Sequence, residues 1–174
     1  MYKVRVILDT QKDVIRTLVV NEVKSLENLH ADIAKSFGFN GQEMASFYRT
    51  DNDWNQGEEI PLFDMSEEQE ALSMAICGIK ETLPTMNDKL IYVYDFLQMW
   101  TFYVELVEYS DEVIEESKII LSVGEIPDEA PEKEFKASKS SNNLQDDFDD
   151  EFGGEFNDEF PSFENIDDFD FDNF

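Results

Sequence analysis

From Ser140 to Phe174 the chain carries 13 Asp and Glu residues and neither Lys nor Arg. Such a segment repels itself and holds no cation to offset its charge, so it does not collapse into a core. The imbalance extends further back. Residues 1–109 hold 19 acidic and 9 basic side chains, whereas residues 110–174 hold 22 and 4. The 174 residues are therefore read as a globular head over 1–126 and a disordered acidic tail over 127–174. The head is long enough to bury a core of its own.

The net charge of −28 narrows the function classes. Nucleic-acid binders present clustered Lys and Arg, and no such cluster occurs here, so direct nucleic-acid binding is not expected. An anionic bilayer repels the chain for the same reason. No apolar run approaches the roughly 18 residues of a membrane span. Cys77 is the only cysteine, which excludes an intrachain disulfide and a cysteine-built zinc site. Met1 to Val6 is a charged, alternating strand rather than a signal peptide, so the cytoplasm is the expected compartment.

Tyr2, Val4, Val6 and Leu8 alternate with Lys3, Arg5 and Ile7, the pattern of a half-buried strand. The polar turn Asp9–Asp13 and the β-branched run Val14–Val20 complete a hairpin. Ser25 caps a helix with apolar positions at Leu26, Leu29, Ile33 and Phe37, and Gly38 stops it. Ala45–Thr50 is read as a third strand and residues 51–57 as a turn-rich loop. Residues 58–88 carry no single pattern; Glu67–Met74 suggests a helical turn and Ile79–Leu83 a short helix before Pro84. Leu90, Tyr92, Tyr94 and Phe96, then Trp100, Phe102, Val104 and Leu106, form two aromatic strands. Leu97-Gln98 between them is poor chemistry for a tight turn, so a longer loop or a bulge is expected. Residues 118–123 add a short edge strand. The expected class is α+β: an antiparallel or mixed sheet opening β-β-α, with a helix packed on one face.

These landmarks together resemble the plasmid pRiA4b ORF-3-like family, small proteins often described as mobile-element passengers and of bacterial type. The resemblance rests on Val14-Ile15-Arg16-Thr17-Leu18, on Leu29-His30, on Phe37-Gly38-Phe39, on Tyr92-Val93-Tyr94-Asp95-Phe96 with Trp100, and on Gly124-Glu125-Ile126-Pro127. It covers residues 1–130 or so. The sequence departs from the family pattern at Leu97-Gln98, where relatives carry Gly-Asp, and at Glu43 and Phe102, where relatives carry His. The family implies a fold and no established reaction.

No catalytic residue, metal site or cofactor is expected. Arg16, His30 and Asp95 are the candidate head pocket. Arg16 points to the apolar face, where it can receive a ligand carboxylate or pair with Asp95. His30, without a Ser, Cys or second His nearby, reads as a half-buried core residue before a general base. Tyr92, Tyr94, Phe96, Trp100, Phe102 and Tyr103 could stack bases, yet Asp88, Asp95, Glu105 and Glu108 flank them, which favours aromatic pairing in a core. Asp147, Asp149 and Glu151 fail as a calcium loop, because Phe152 stands where the loop needs Gly.

The tail is the most informative segment. It holds Phe148, Phe152, Phe156, Phe160, Phe163, Phe169, Phe171 and Phe174, eight of the 15 Phe in the chain. The first four recur every fourth residue and would form one stripe on a helix. A partner protein with an apolar groove and a basic rim could take these anchors. The expected function is thus a non-enzymatic interaction protein whose tail recruits that partner. A nucleic-acid mimic occupying a basic groove of a DNA-handling protein is the first alternative, and an enzyme with a small-ligand pocket near Arg16, His30 and Asp95 is the second.

Overall fold

The computed structural model describes residues 1–65 and 72–132. Seven strands form one sheet: β1 (Tyr2–Leu8), β2 (Ile15–Val20), β3 (Ala45–Thr50), β4 (Gln56–Pro61), β5 (Lys89–Tyr94), β6 (Trp100–Tyr109) and β7 (Lys118–Val123). Their order is β4-β3-β5-β6-β1-β2-β7, and every neighbouring pair is antiparallel. Two helices accompany them, α1 (Leu26–Ser36) and α2 (Ile79–Thr82), of 11 and 4 residues.

The α+β expectation is therefore corrected. The described residues form a predominantly antiparallel β-sheet with two short helices. Of residues 58–88, which carry no single sequence pattern, the described ones supply part of β4, the turn of α2 and the start of no other helix. The suggested helical turn at Glu67–Met74 falls largely on residues 66–71, outside the described residues. The acidic tail from residue 133 onward, with all eight of its Phe, also lies outside them.

Alternation sets the sheet. Tyr2, Val4, Val6 and Leu8 are buried in β1 while Lys3, Arg5 and Ile7 are not. The same core takes Tyr92 and Tyr94 from β5, Trp100, Phe102, Val104 and Leu106 from β6, and Leu26, Leu29 and Ile33 from α1. Ile126 and Ala130, beyond the last strand, also pack against it. β5 ends at Tyr94, so Phe96 lies in the following turn, 42 % exposed, rather than in the strand. Tyr103 faces away from the core set and meets Trp54 edge-on at 4.8 Å.

The β5–β6 connection replaces the missing turn glycine with local side-chain bonding. Asp95 and Met99 adopt positive φ of 59° and 60°. Asp95 Oδ1 accepts from the Leu97 amide at 3.0 Å, and the Met99 amide donates to the Asp95 carbonyl at 2.6 Å. Asp tolerates this left-handed conformation because its short side chain bonds its own loop.

Helix α1 is bounded by local chemistry at both ends. Ser25 Oγ accepts from the Asn28 amide while Asn28 Oδ1 accepts from the Ser25 amide, a reciprocal cap. The Leu26 and Glu27 amides donate to the carbonyls of Cys77 and Met74, which ties the 74–78 segment to the start of the helix. At the far end Gly38 takes φ of 77°; its amide donates to Lys35 O and that of Phe39 to Ala34 O. This is a Schellman stop. It turns Phe39 back toward the core aromatics.

Candidate functional site

The turn at Gly38 places Phe39 on the aromatic strands. Its ring stacks on Tyr94 at 5.0 Å and meets Trp100 at 5.1 Å. The residues that follow are held by two tyrosines of β5. Tyr94 Oη donates to Asn40 Oδ1 at 2.9 Å and accepts from the Gly41 amide at 3.2 Å. His30, one turn into α1, bridges the same loop to Tyr92: Nδ1 lies 2.8 Å from Tyr92 Oη, and Nε2 lies 3.3 Å from Gly41 O.

The tautomer follows from the partners. A carbonyl oxygen only accepts, so Nε2 carries the proton and donates to Gly41 O; the Tyr92 hydroxyl then donates to Nδ1. Burial lowers the pKa of His30 from its ordinary value and favours this neutral form, against smaller raising contributions from its bond to Gly41 and from Glu27. Burial, with the neighbouring Tyr94 adding to it, pushes the phenol of Tyr92 far up, so it stays protonated. Both ring nitrogens are engaged. The imidazole fastens the 39–41 loop to the sheet.

Beside this network a cleft of about 460 Å³ opens between α1, the 39–41 loop and Phe63. Lys35 and Glu27 bring opposite charges to its wall, Phe39 and Phe63 bring aromatic surface, and His30 reaches it. Of the three residues expected to share a head pocket, only His30 lines the cleft.

Arg16 lies elsewhere, and its guanidinium is consumed by backbone carbonyls. Nε donates to Ser36 O at 3.2 Å, and Nη1 to Val123 O at 2.8 Å and Ile15 O at 2.9 Å. Gly124 O receives both Nη1 and Nη2 at 3.3 Å. The guanidinium carbon sits 5.1 Å from the centre of the Phe37 ring. A cation at the carbonyl end of α1 is favourably placed with respect to the helix dipole. Arg16 thus clasps the end of α1 and the end of β7 to β2. The expected pairing with Asp95 is not formed; Asp95 spends its carboxylate on the β5–β6 turn.

The sequence landmarks acquire physical reasons. Gly124 has φ of 75°, and a Cβ there would lie 2.1 Å from Asp13 O, so only glycine fits. Phe102, where relatives carry His, is fully buried against Phe37, Phe39 and Tyr92. Glu43, the other such position, is exposed on the loop before β3. Cys77 is buried, and burial raises its thiol pKa, which makes it a poor nucleophile. The clasp role of Arg16 was not readable beforehand, because backbone carbonyls leave no mark in a residue pattern. No group of His, Cys, Asp and Glu among the described residues is arranged to hold a metal ion. No helix among them is long and apolar enough to cross a membrane.

An antiparallel seven-stranded sheet with a short capped helix, its loop anchored through paired tyrosines and a histidine, defines the structural class. The comparisons give it a family. The model of the plasmid pRiA4b ORF-3-like proteins matches residues 1–171, and the chain belongs to that family. The match runs well beyond the first 130 residues that carry the recognisable motifs, through most of the acidic tail. A crystal structure of a protein of unknown function from Methanosarcina mazei Go1 is similar in fold. The two share 16 % identity over 70 % of this chain and 68 % of that one, with a TM-score of 0.55. No curated protein matches the sequence.

Proposed function

We propose that this chain is a non-enzymatic, cytoplasmic interaction protein, whose acidic tail recruits a partner protein through phenylalanine anchors. The observation that carries this reading is the composition of residues 140–174: eight Phe among 13 carboxylates, without a Lys or Arg. Phe works against solubility, so a purely solubilising tail has no use for it. The anchors are Phe148, Phe152, Phe156, Phe160, Phe163, Phe169, Phe171 and Phe174, and the partner surface that suits them is an apolar groove with a basic rim. The head supports the reading from the other side. His30 and Arg16 bond within the fold through both ring nitrogens and the guanidinium, and Asp95 Oδ1 holds the β5–β6 turn.

A second reading is favoured by the net charge of −28: the carboxylates themselves imitate nucleic acid in a basic groove. One experiment separates the two. Cytosol is passed over the full chain, a chain ending at Ser138, and a full chain with the eight tail Phe replaced by Ser. Recruitment predicts a protein held by the full chain only, and held still in about 1 M salt, where screening acts within about 3 Å. Mimicry predicts that the Ser-substituted chain holds it equally well and that salt releases it from both. A protein held equally by the truncated chain defeats both tail readings.

A further inference from the structure

The two edges of the sheet are built differently. β4 carries Gly57, Glu58, Glu59 and Pro61, the charges and the donorless residue that discourage another strand from adding. β7 reads Lys118-Ile119-Ile120-Leu121-Ser122-Val123, and all six residues are exposed. Ile119 is 50 % exposed, Ile120 44 %, Leu121 48 % and Val123 40 %. Its outer side leaves alternate backbone N–H and C=O groups facing away from β2. The protective feature it has is a bulge at Ile120, where the register with β2 shifts between Thr17 and Leu18. The bulge twists the strand but leaves its side chains apolar. Lys118, the one charged residue of the strand, is ion-paired with Glu112. The strand is also held in place, because Arg16 grips the carbonyls of Val123 and Gly124.

Charge indicates what fits there. Glu115 and Glu116 lie just before the strand, beyond Ser117, and Glu125 just after it, beyond Gly124, all three exposed. We propose that β7 is a strand-addition site, and that its occupant is an extended segment of another protein, apolar at alternate positions in its middle and bearing Lys or Arg at both ends. Backbone bonding along the edge supplies the pairing, and the flanking carboxylates select basic ends. Leu121 and Val123, registered with Thr17 and Ile15, supply apolar contact on one face, and Ile119, registered with Leu18 beyond the bulge, on the other. A second copy of this chain is the wrong occupant. Each copy carries a net −28, and antiparallel self-pairing about an axis between Ile120 and Leu121 sets Glu116 against Glu125 of the second copy. This inference does not rest on the tail reading.

The test uses the full chain and a capped peptide, Lys-Arg-Val-Thr-Val-Thr-Ile-Lys-Arg, with the acidic-ended twin Glu-Glu-Val-Thr-Val-Thr-Ile-Glu-Glu. Calorimetric titration should show the basic-ended peptide binding at least about tenfold more tightly than its twin, with hydrogen exchange slowed in residues 118–123. The substitutions Ile119→Lys and Leu121→Lys together should weaken that binding by at least about tenfold, while the chain with eight tail Phe replaced by Ser retains it. Ile120→Lys serves as the variant if the double substitution unfolds the sheet. Equal binding of the two peptides, or unchanged binding to the lysine variants, overturns the proposal. So does loss of binding in the Ser-substituted chain, which puts the peptide on the tail. Sedimentation of the peptide-free chain as a dimer that the lysine substitutions dissociate also overturns it, by giving the edge to a second copy.

Discussion

Replacing Tyr92 with Phe isolates the buried bond that joins α1 to the sheet. Tyr92 is fully buried, and its hydroxyl donates to His30 Nδ1 over 2.8 Å. The substitution removes the donor and leaves the Nδ1 lone pair buried without a partner, while ring packing against Phe47 and Phe102 is retained. A buried group stripped of its partner costs about 1–3 kcal/mol. In a head of this size that lowers the thermal midpoint by roughly 4–12 °C. His30→Leu alone should cost a similar amount, because it strands the Tyr92 hydroxyl and the Gly41 carbonyl together. Combining the two substitutions removes both members of the pair, so the double variant should lose less than the sum, with a coupling on the order of 1–2 kcal/mol. Urea unfolding of the four proteins, followed by tryptophan fluorescence, reads all of these values. A Tyr92→Phe cost below about 0.5 kcal/mol, or strictly additive single effects, would refute the claim that this pair fastens the helix.

The remaining predictions concern charge and backbone. Burial lowers the pKa of His30, so the unfolded chain binds its proton first as pH falls through the ordinary value of 6.5. Stability contributed by neutral His30 is complete above that pH and declines below it, and His30→Leu should abolish that part of the decline in acid-unfolding curves. Asp32 is the opposite case: burial raises its pKa, against lowering contributions from Ser117, Lys24 and Lys35. Its stability contribution is complete below the ordinary carboxylate value and is lost as pH rises through the raised one, so Asp32→Asn should raise the thermal midpoint at pH 7 and give no gain in acid. Gly124→Ala should cost at least roughly 2 kcal/mol, from left-handed strain plus the clash with Asp13 O, and should speed hydrogen exchange in β7 above that of the other strands.

Local pattern made much of the head legible. Alternation marked Tyr2–Leu8, Leu90–Tyr94 and Trp100–Leu106 as strands. One face is the more buried in β1 and β6, whereas β5 is buried on both, and Ala45–Thr50 reads as a strand without such a pattern. Ser25 and Gly38 marked the ends of α1 through bonds that close within four residues. β4 escaped notice because Gln56-Gly57-Glu58-Glu59 lies exposed at the sheet edge and has no buried face to imprint a period. The α+β reading gave too much weight to the capped helix of the β-β-α opening: among the described residues helix amounts to the 11 residues of α1 and the 4 of α2, against seven antiparallel strands. Phe96 was assigned one residue pair too far along its strand, because positive φ at Asp95 ends β5 and the sequence contains no glycine to announce it.

What the sequence determined by itself was the material: an acidic chain whose last 35 residues hold no cation, a head with the landmarks of its family, and capped or alternating segments whose signals are short-range. What only the tertiary structure decided was which segments meet. The insertion of β1 between β6 and β2, the grip of Arg16 on carbonyls 107 and 108 residues away, and the bond of His30 to Tyr92 all join positions remote along the chain. Those contacts use backbone oxygens and buried polar atoms, whose partners are chosen by geometry rather than residue type. The exposure of β7 is of the same kind. Residues 118–123 read as an edge strand, and the sheet order places β7 at that edge; what the sequence did not show is that the strand stays exposed on both faces.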